Sequence, residues 1–372
     1  MSSASNASST KISKNIEKVA RSLFDDEGTQ QRFLQAIERG ESGVTGVVWL
    51  RGEPQVDAFA TGERPEWLPE WIDVAAETER PGKLKAHDEG AIYCMDLSST
   101  FACSALSAIN EPVQVIVDVC ASPGGKGIVA RRYFEPELLV GNEVIGKRTA
   151  QLISNYKRCN IDPSIVTSLD PQRLGTEIPQ SADLVIVDAP CSGQSLVLKG
   201  MAAPGAFHPA TIGMNERRQR RILAHSSKVV APGGYLLYAT CTFSREENED
   251  NVTWLLKNFP EFSAVVVPVL EPYRSHLSDA PTYRLLPHLG KGAGAFCALL
   301  QRAAQEGRYD RESAQSVTTQ LRASWRSPTL FVSRDPATAQ GASRYKKRND
   351  AKGKRAERYE RQKTKRMLRN FE

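Results

Sequence analysis

Two stretches of this 372-residue chain end an apolar run on a thiol: VIVDAPCSG carries Asp188, Pro190 and Cys191, and GYLLYATC, 50 residues further on, ends in Thr240 and Cys241. A cysteine attacks as its thiolate, and free cysteine has a pKa of roughly 8.5, so a usable nucleophile at neutral pH needs nearby positive charge or aligned amides. Other apolar runs end in a similar way: VQVIVDV on Asp118 with Cys120 behind it, LLVGNEV on Glu143, and SIVTSLD on Asp170. One acid after a strand is ordinarily a solvated turn residue. Five consecutive runs ending on polar groups point instead to a single edge where those groups act together.

The elements that must position them follow from the pattern. From Val113 to Arg302, short runs rich in Val, Ile and Leu alternate with helical stretches such as KRTAQLISNYKRCN and NERRQRRILAHSSKVV. This is the signature of an α/β, doubly wound, mostly parallel sheet. AVVVPV and AFCALLQR are expected to complete one edge. In such sheets ligands bind beyond the carboxyl ends of the strands, where strand order reverses. Neighbouring strands would then bring Cys191 and Cys241 to one pocket, although spacing alone does not say which thiol attacks. In the first turn, DVCASPGGKG, Gly124 and Gly125 allow close backbone approach and Lys126 opens a helix. Glu143 lies 18 residues beyond Gly125 at the end of the next strand, where an acid would hold the two ribose hydroxyls of a nucleoside. With no phosphate-gripping Walker loop, an adenosine-like ligand without a polyphosphate fits best.

Composition limits the alternatives. The chain is 40% apolar and 25% charged, as in soluble globular proteins. No apolar run approaches the roughly 18 residues of a membrane span, and no signal peptide opens the chain, so no membrane partner and a cytoplasmic location are expected. The Ser-rich start lacks the arginine of a transit peptide. Seven cysteines without a Cys-x-x-Cys pair fit reduced thiols rather than a disulfide framework or a zinc site, and no metal is expected. The net charge of +6 is uneven: residues 344–372 hold 13 Lys or Arg against 4 Asp or Glu, a net of +9 that leaves the remainder at −3. The expected organisation is a disordered start over 1–11, a small amino-terminal α+β region over 12–90, a catalytic domain over 91–302, a linker over 303–343, and a basic disordered tail over 344–372, in a monomer.

The residues from about Gly90 to Arg302 resemble the Nol/Nop/Sun-type RNA cytosine carbon-5 methyltransferases. The resemblance is carried, in the expected order, by GAIYCMDLSS, DVCASPGGKG, the acid in GNEVIGKR, SLD, DAPCSG, ATCTFSREENEDN and RLLPHLGKGAGAFCALLQR. Three departures stand out. Gly127 occupies a position that is often threonine, Gln194 and Ser195 replace a small or acidic pair, and the usual amino-terminal RNA-binding segment is not recognisable.

The resemblance implies a Rossmann-like fold, S-adenosylmethionine as methyl donor, and RNA, ribosomal or transfer, as substrate. Carbon 5 of cytosine is too weak a nucleophile to take a methyl group until a thiolate has added at carbon 6. That addition needs charge on ring nitrogen 3 to be neutralised. By resemblance Cys241 is the nucleophile and Cys191 assists release. Asp188 contacts the base near ring nitrogen 3, and Lys126 lies between cofactor and target. The cofactor set would comprise Cys120, Ala121, Ser122, Pro123, Gly124, Gly125 and Lys126, then Glu143 for the ribose, Arg148 beside it, Asp170 for the adenine amino group, and Asp188. Cys94, Cys103, Cys159 and Cys297 are read as packing residues, and His288 as structural. Arg217, Arg218, Arg220 and Arg221, together with the basic tail, are candidates for phosphate contact. The competing reading is a ribosome-assembly or RNA-binding factor of the same fold that acts mainly by binding.

Overall fold

The computed structural model describes residues 10–40, 43–52, 58–305, 314–323 and 331–332. The basic tail lies outside them. The chain opens with α1 (Lys14–Leu23) and α2 (Glu27–Arg39), each started by a side-chain cap, from Ser13 and Asp26 respectively. A small antiparallel sheet follows, in the order β2 (Ile72–Val74), β1 (Thr45–Trp49), β3 (Ile92–Asp96), with the short α3 (Lys85–Asp88) before β3. Its third strand lies beyond residue 90, so the small sheet crosses the boundary drawn from composition.

After α4 (Leu97–Ser104) the alternating pattern builds the main sheet. Its parallel centre is β4 (Val115–Asp118), β5 (Leu138–Asn142), β6 (Ser164–Thr167), β7 (Ala182–Asp188) and β8 (Val230–Thr240). The intervening helices are α5 (Gly125–Phe134), α6 (Gly146–Arg158), α7 (Pro171–Glu177), α8 (Gln194–Leu198) and α9 (Pro209–Ser226). Beyond them lie α10 (Glu249–Asn258), β9 (Phe262–Ala264), β10 (Tyr283–Leu285), β11 (Ala295–Arg302), α11 (Ala314–Ala323) and β12 (Phe331–Val332). The strand order is β10-β11-β8-β7-β4-β5-β6-β12, with β9 also on β11, and β11 and β12 run antiparallel to their neighbours.

Both faces of the sheet are buried, which explains the near-continuous apolar runs. Ile116, Leu184 and Ile186 face one core with Ile128 of α5 and Leu152 and Tyr156 of α6. Val115, Val117, Val185 and Val187 face the other with Leu174, Ile222, Leu223 and Val252. The expected strand AVVVPV forms only at its start. The pairing ends at Ala264, and Pro268, which has no N–H for a ladder, begins a 3-10 turn.

The chain runs outward from β4 to β5 and β6, then returns to β7 on the other flank of β4. The crevice above β4 and β7 is therefore the switch point at which a ligand site is expected. The amino-terminal helices pack against the loop that follows β8: Phe33 of α2 lies edge-on to Phe243, two residues past Cys241, with ring centroids 5.3 Å apart.

Candidate active site

A cavity of about 460 Å³ opens at the carboxyl ends of the strands. Its walls include Cys120, Ser122, Glu143, Arg148, Asp170, Asp188, Cys191 and Cys241. The five strand ends singled out in the sequence therefore meet in one place.

On the side of β4, the turn after Asp118 reverses at Gly124, whose φ of 113° and close approach to Leu152 and Tyr156 exclude a side chain. Lys126, in the first turn of α5, reaches back so that its Nζ lies 2.7 Å from Asp188 Oδ2 at the end of β7. Burial disfavours the ammonium, yet Asp188, with Cys103 and Cys241 adding to it, raises the Lys126 pKa. Beneath this pair lies Asp118, 1% exposed, with Oδ1 unpartnered. Burial, helped by the Asp188 charge, pushes Asp118 up to about 8, so it is protonated at neutral pH.

The β5 side supplies Glu143, which is 3% exposed. One carboxylate oxygen accepts from Ile145 N at 2.9 Å and the other is 3.4 Å from Arg148 Nη1. Arg148 also donates to Ser122 O at 2.7 Å, and Ser122 Oγ donates to Arg148 O at 3.0 Å. This reciprocal clasp fixes the glycine turn against the Glu143 loop. Buried Asn142 ties three strand ends together. Its amide donates to Val119 O and Leu169 O, and its oxygen accepts from Thr167 Oγ1 and Leu169 N. Asp170 caps α7 through Gln172 N and meets Arg221 Nη2 at 2.7 Å, a contact that holds its pKa down.

The thiol side is the most tightly specified. Cys191 and Cys241 face one another with sulfurs 3.2 Å apart. The hydrogen bond between the two sulfurs lowers the Cys241 pKa, with Lys126 and Lys199 also acting in that direction against burial and Asp188. The same bond, with burial, raises Cys191. Around them, Gln194 Oε1 accepts from Phe243 N and Ser244 N while its Nε2 donates to Ala206 O. Arg284, in a buried pair with Glu249, donates to Phe243 O. Lys199 is held 2.8 Å from Asp96.

Other assignments separate here. Cys103, Cys159 and Cys297 are buried in the apolar core, as expected of packing residues. His288 packs edge-on against Phe24 and Phe33. Of the four arginines on α9, Arg218 and Arg221 line the cavity. Arg220 is turned away onto Glu216, Asn251 and Trp254. Sequence reasoning missed Asn142, Gln194, Glu247 and Arg284. Asn142 and Glu247 sit inside quoted motifs, and Gln194 was noted only as a departure. Arg284 had no signal beyond opening the last motif.

Residues 105–301 match the family described as 16S rRNA methyltransferase RsmB/F. The chain belongs to this family. Two relatives, both named ribosomal RNA small subunit methyltransferase F, come from Pectobacterium carotovorum and Cronobacter sakazakii. The first is 30% identical over 64% of this chain and 49% of its own length, and the second 31% identical over 67% and 55%. The chain thus spans about half the length of the relatives it matches. Among solved structures, PH0851 aligns with a TM-score of 0.66 and 25% identity, over 77% of this chain and 65% of that one. NSun6 from Pyrococcus horikoshii with SFG gives 0.61 and 18%, over 79% and 99%, a likeness of fold. The family's Rossmann-like methyltransferase fold is the sheet described above. The whole matched segment lies on the main sheet and the elements leading into it.

Proposed function

We propose that the protein transfers a methyl group from S-adenosylmethionine to carbon 5 of a cytosine in RNA, with small-subunit ribosomal RNA favoured by the family and by the relatives' names. The observation that carries this reading is the pair of thiols 3.2 Å apart beside the Lys126–Asp188 ion pair, on the wall of a cavity of about 460 Å³ that Glu143 and Asp170 also line. The cofactor fits the residues present. Glu143 offers buried carboxylate oxygens at the end of β5, the clasped Ser122–Gly125 turn offers backbone, and Asp170 and Pro171 close the far end. When bound, it supplies an electrophilic methyl group.

The chain's own groups then divide the work. Cys241 has the lowered pKa and would form the bond to ring carbon 6. As negative charge builds at ring nitrogen 3, Asp188 would deliver a proton there, drawn from the Lys126 ammonium 2.7 Å behind it, which is left as the neutral amine. After methylation the proton on carbon 5 must leave, and the electrons of the sulfur–carbon 6 bond return to Cys241. Cys191 is close enough to assist that departure. The target base must leave any stack to reach this depth, so unpaired or easily opened RNA is the expected substrate.

The test is methyl incorporation into ribosomal RNA, read by bisulfite sequencing. Cys241→Ala should abolish it. Cys191→Ala should trap RNA covalently on the protein. Normal methylation by Cys241→Ala would refute the assignment, and RNA binding without methyl transfer by the native protein would favour a binding factor.

A further inference from the structure

The segment SREEN after Cys241 ends near a carboxylate that the chemistry above leaves unused. Glu247 is fully buried, and no cation pairs with it among the described residues. Its Oε2 accepts from Ser192 N at 2.9 Å and Gln219 Nε2 at 2.8 Å, and its Oε1 accepts from Ser244 Oγ at 2.8 Å. Ser192 follows Cys191 and Thr242 follows Cys241, and the two hydroxyls bond each other at 2.7 Å. Gln219 also donates to Pro190 O, just before Cys191. One carboxylate therefore fastens both thiol loops, through the Ser192 backbone N–H on the Cys191 side and through the Ser244 hydroxyl and, at 3.4 Å, the Thr242 hydroxyl on the Cys241 side.

Charge is distributed unevenly around the thiols. Lys126 and Lys199 are held by Asp188 and Asp96 at 2.7 and 2.8 Å; on Cys241 the two ammonium groups act against the single Asp188 carboxylate, two positive charges to one negative. Glu247 acts on Cys191. When one proton is shared by two thiols 3.2 Å apart, it settles on the sulfur nearer negative charge and leaves the other ionised.

We propose that Glu247 is a positioning residue that keeps the shared proton on Cys191, so that Cys241 is the thiolate. Its purpose rests on the methyltransferase reading, but the effect belongs to the resting protein and is measurable without RNA or cofactor. The native protein is treated at neutral pH with limiting iodoacetamide, and the carbamidomethylated Cys241 and Cys191 peptides are counted by mass spectrometry. Cys241 is expected to react first. Glu247→Gln removes the charge at similar size and should lower the Cys241-to-Cys191 ratio by about tenfold, the equivalent of one pKa unit. Glu247→Asp keeps the charge and should keep Cys241 first. A purely structural role would change both rates together and leave the ratio in place.

A native protein labelled first at Cys191, an unchanged ratio in Glu247→Gln, or a reversed order in Glu247→Asp would overturn the proposal. If Glu247→Gln does not fold, the native protein labelled at a series of pH values from about 8 down to 4 decides: burial raises the Glu247 pKa, its protonation as pH falls should lower the Cys241-to-Cys191 ratio, and a ratio constant across that range overturns the proposal. Methyl transfer is assayed separately, so the expected ratios without methylation would defeat the functional reading and leave this one standing.

Discussion

Asp118 should give the protein a pH dependence of stability that one substitution removes. Its carboxyl is 1% exposed, and burial, with Asp188 adding to it, raises its pKa from the usual 3.8 to about 8. An acid raised in the folded state keeps a proton there that the unfolded chain has released. The sign is therefore fixed: the contribution of Asp118 to stability is greatest below about pH 4, falls as pH rises towards 8, and levels off above it. The slope is about 1.4 kcal/mol per pH unit, so between pH 5 and 7 Asp118 should cost about 3 kcal/mol. The substitution Asp118→Asn puts a side chain of the same shape there that is neutral at every pH, and it leaves the Lys126–Asp188 pair in place. Urea unfolding of both proteins at several pH values from 5 to 8, with the difference in free energy plotted against pH, isolates this group from all others. A difference that grows by about 3 kcal/mol in favour of the variant from pH 5 to 7 is expected. Parallel curves would show that Asp118 is ionised in the folded protein and would refute the reasoning.

Three further outcomes are expected. Glu143→Gln should weaken cofactor binding by about tenfold in calorimetry, because a charge-assisted bond to a hydroxyl is worth about 1.5 kcal/mol or more. Asn142→Ala leaves Val119 O, Leu169 O and Leu169 N without partners and should destabilise the fold by about 2–3 kcal/mol in urea unfolding, with cofactor affinity falling as the three strand ends loosen. Removing residues 344–372, with their net charge of +9, should weaken RNA binding and flatten its salt dependence in filter-binding assays at several salt concentrations.

The sheet and the cavity wall were legible because both rest on periodicity and position. Apolar runs such as VIVD are buried on both faces, and a polar residue closing such a run has only the strand end to occupy. That logic located Glu143, Asp188 and both thiols. Asp170 shows its limit, since one side chain caps α7, pairs with Arg221 and lines the cavity, and the sequence could not rank these roles. The residues that were missed act through long-range hydrogen bonds. Gln194 meets Phe243 N across 49 residues, Arg284 meets Phe243 O across 41, and Glu247 meets Ser192 N across 55. No local pattern records such a partner. AVVVPV joins the sheet edge only through Ala264 for a different reason, since a β-rich run keeps its propensity whether or not a neighbouring strand remains to pair with it.

The loop after Cys241 also shows why the amino-terminal helices belong to the account of the site. Phe243 has its amide taken by Gln194, its carbonyl by Arg284, and its ring by Phe33 of α2. Each restraint comes from a different part of the chain, so the position of the thiol two residues earlier is set by their intersection. A loop left to itself would sample many backbone states, and a nucleophile misplaced by about an ångström can cost on the order of a hundredfold in rate. The buried Arg284–Glu249 pair is an expensive way to hold a carbonyl, because both charges give up water. It is placed where rigidity of the thiol loop matters, and α2 seals it from the amino-terminal side with an aromatic contact. The helices that carry no chemical motif of their own therefore brace, through Phe33 and Phe243, the loop that follows Cys241.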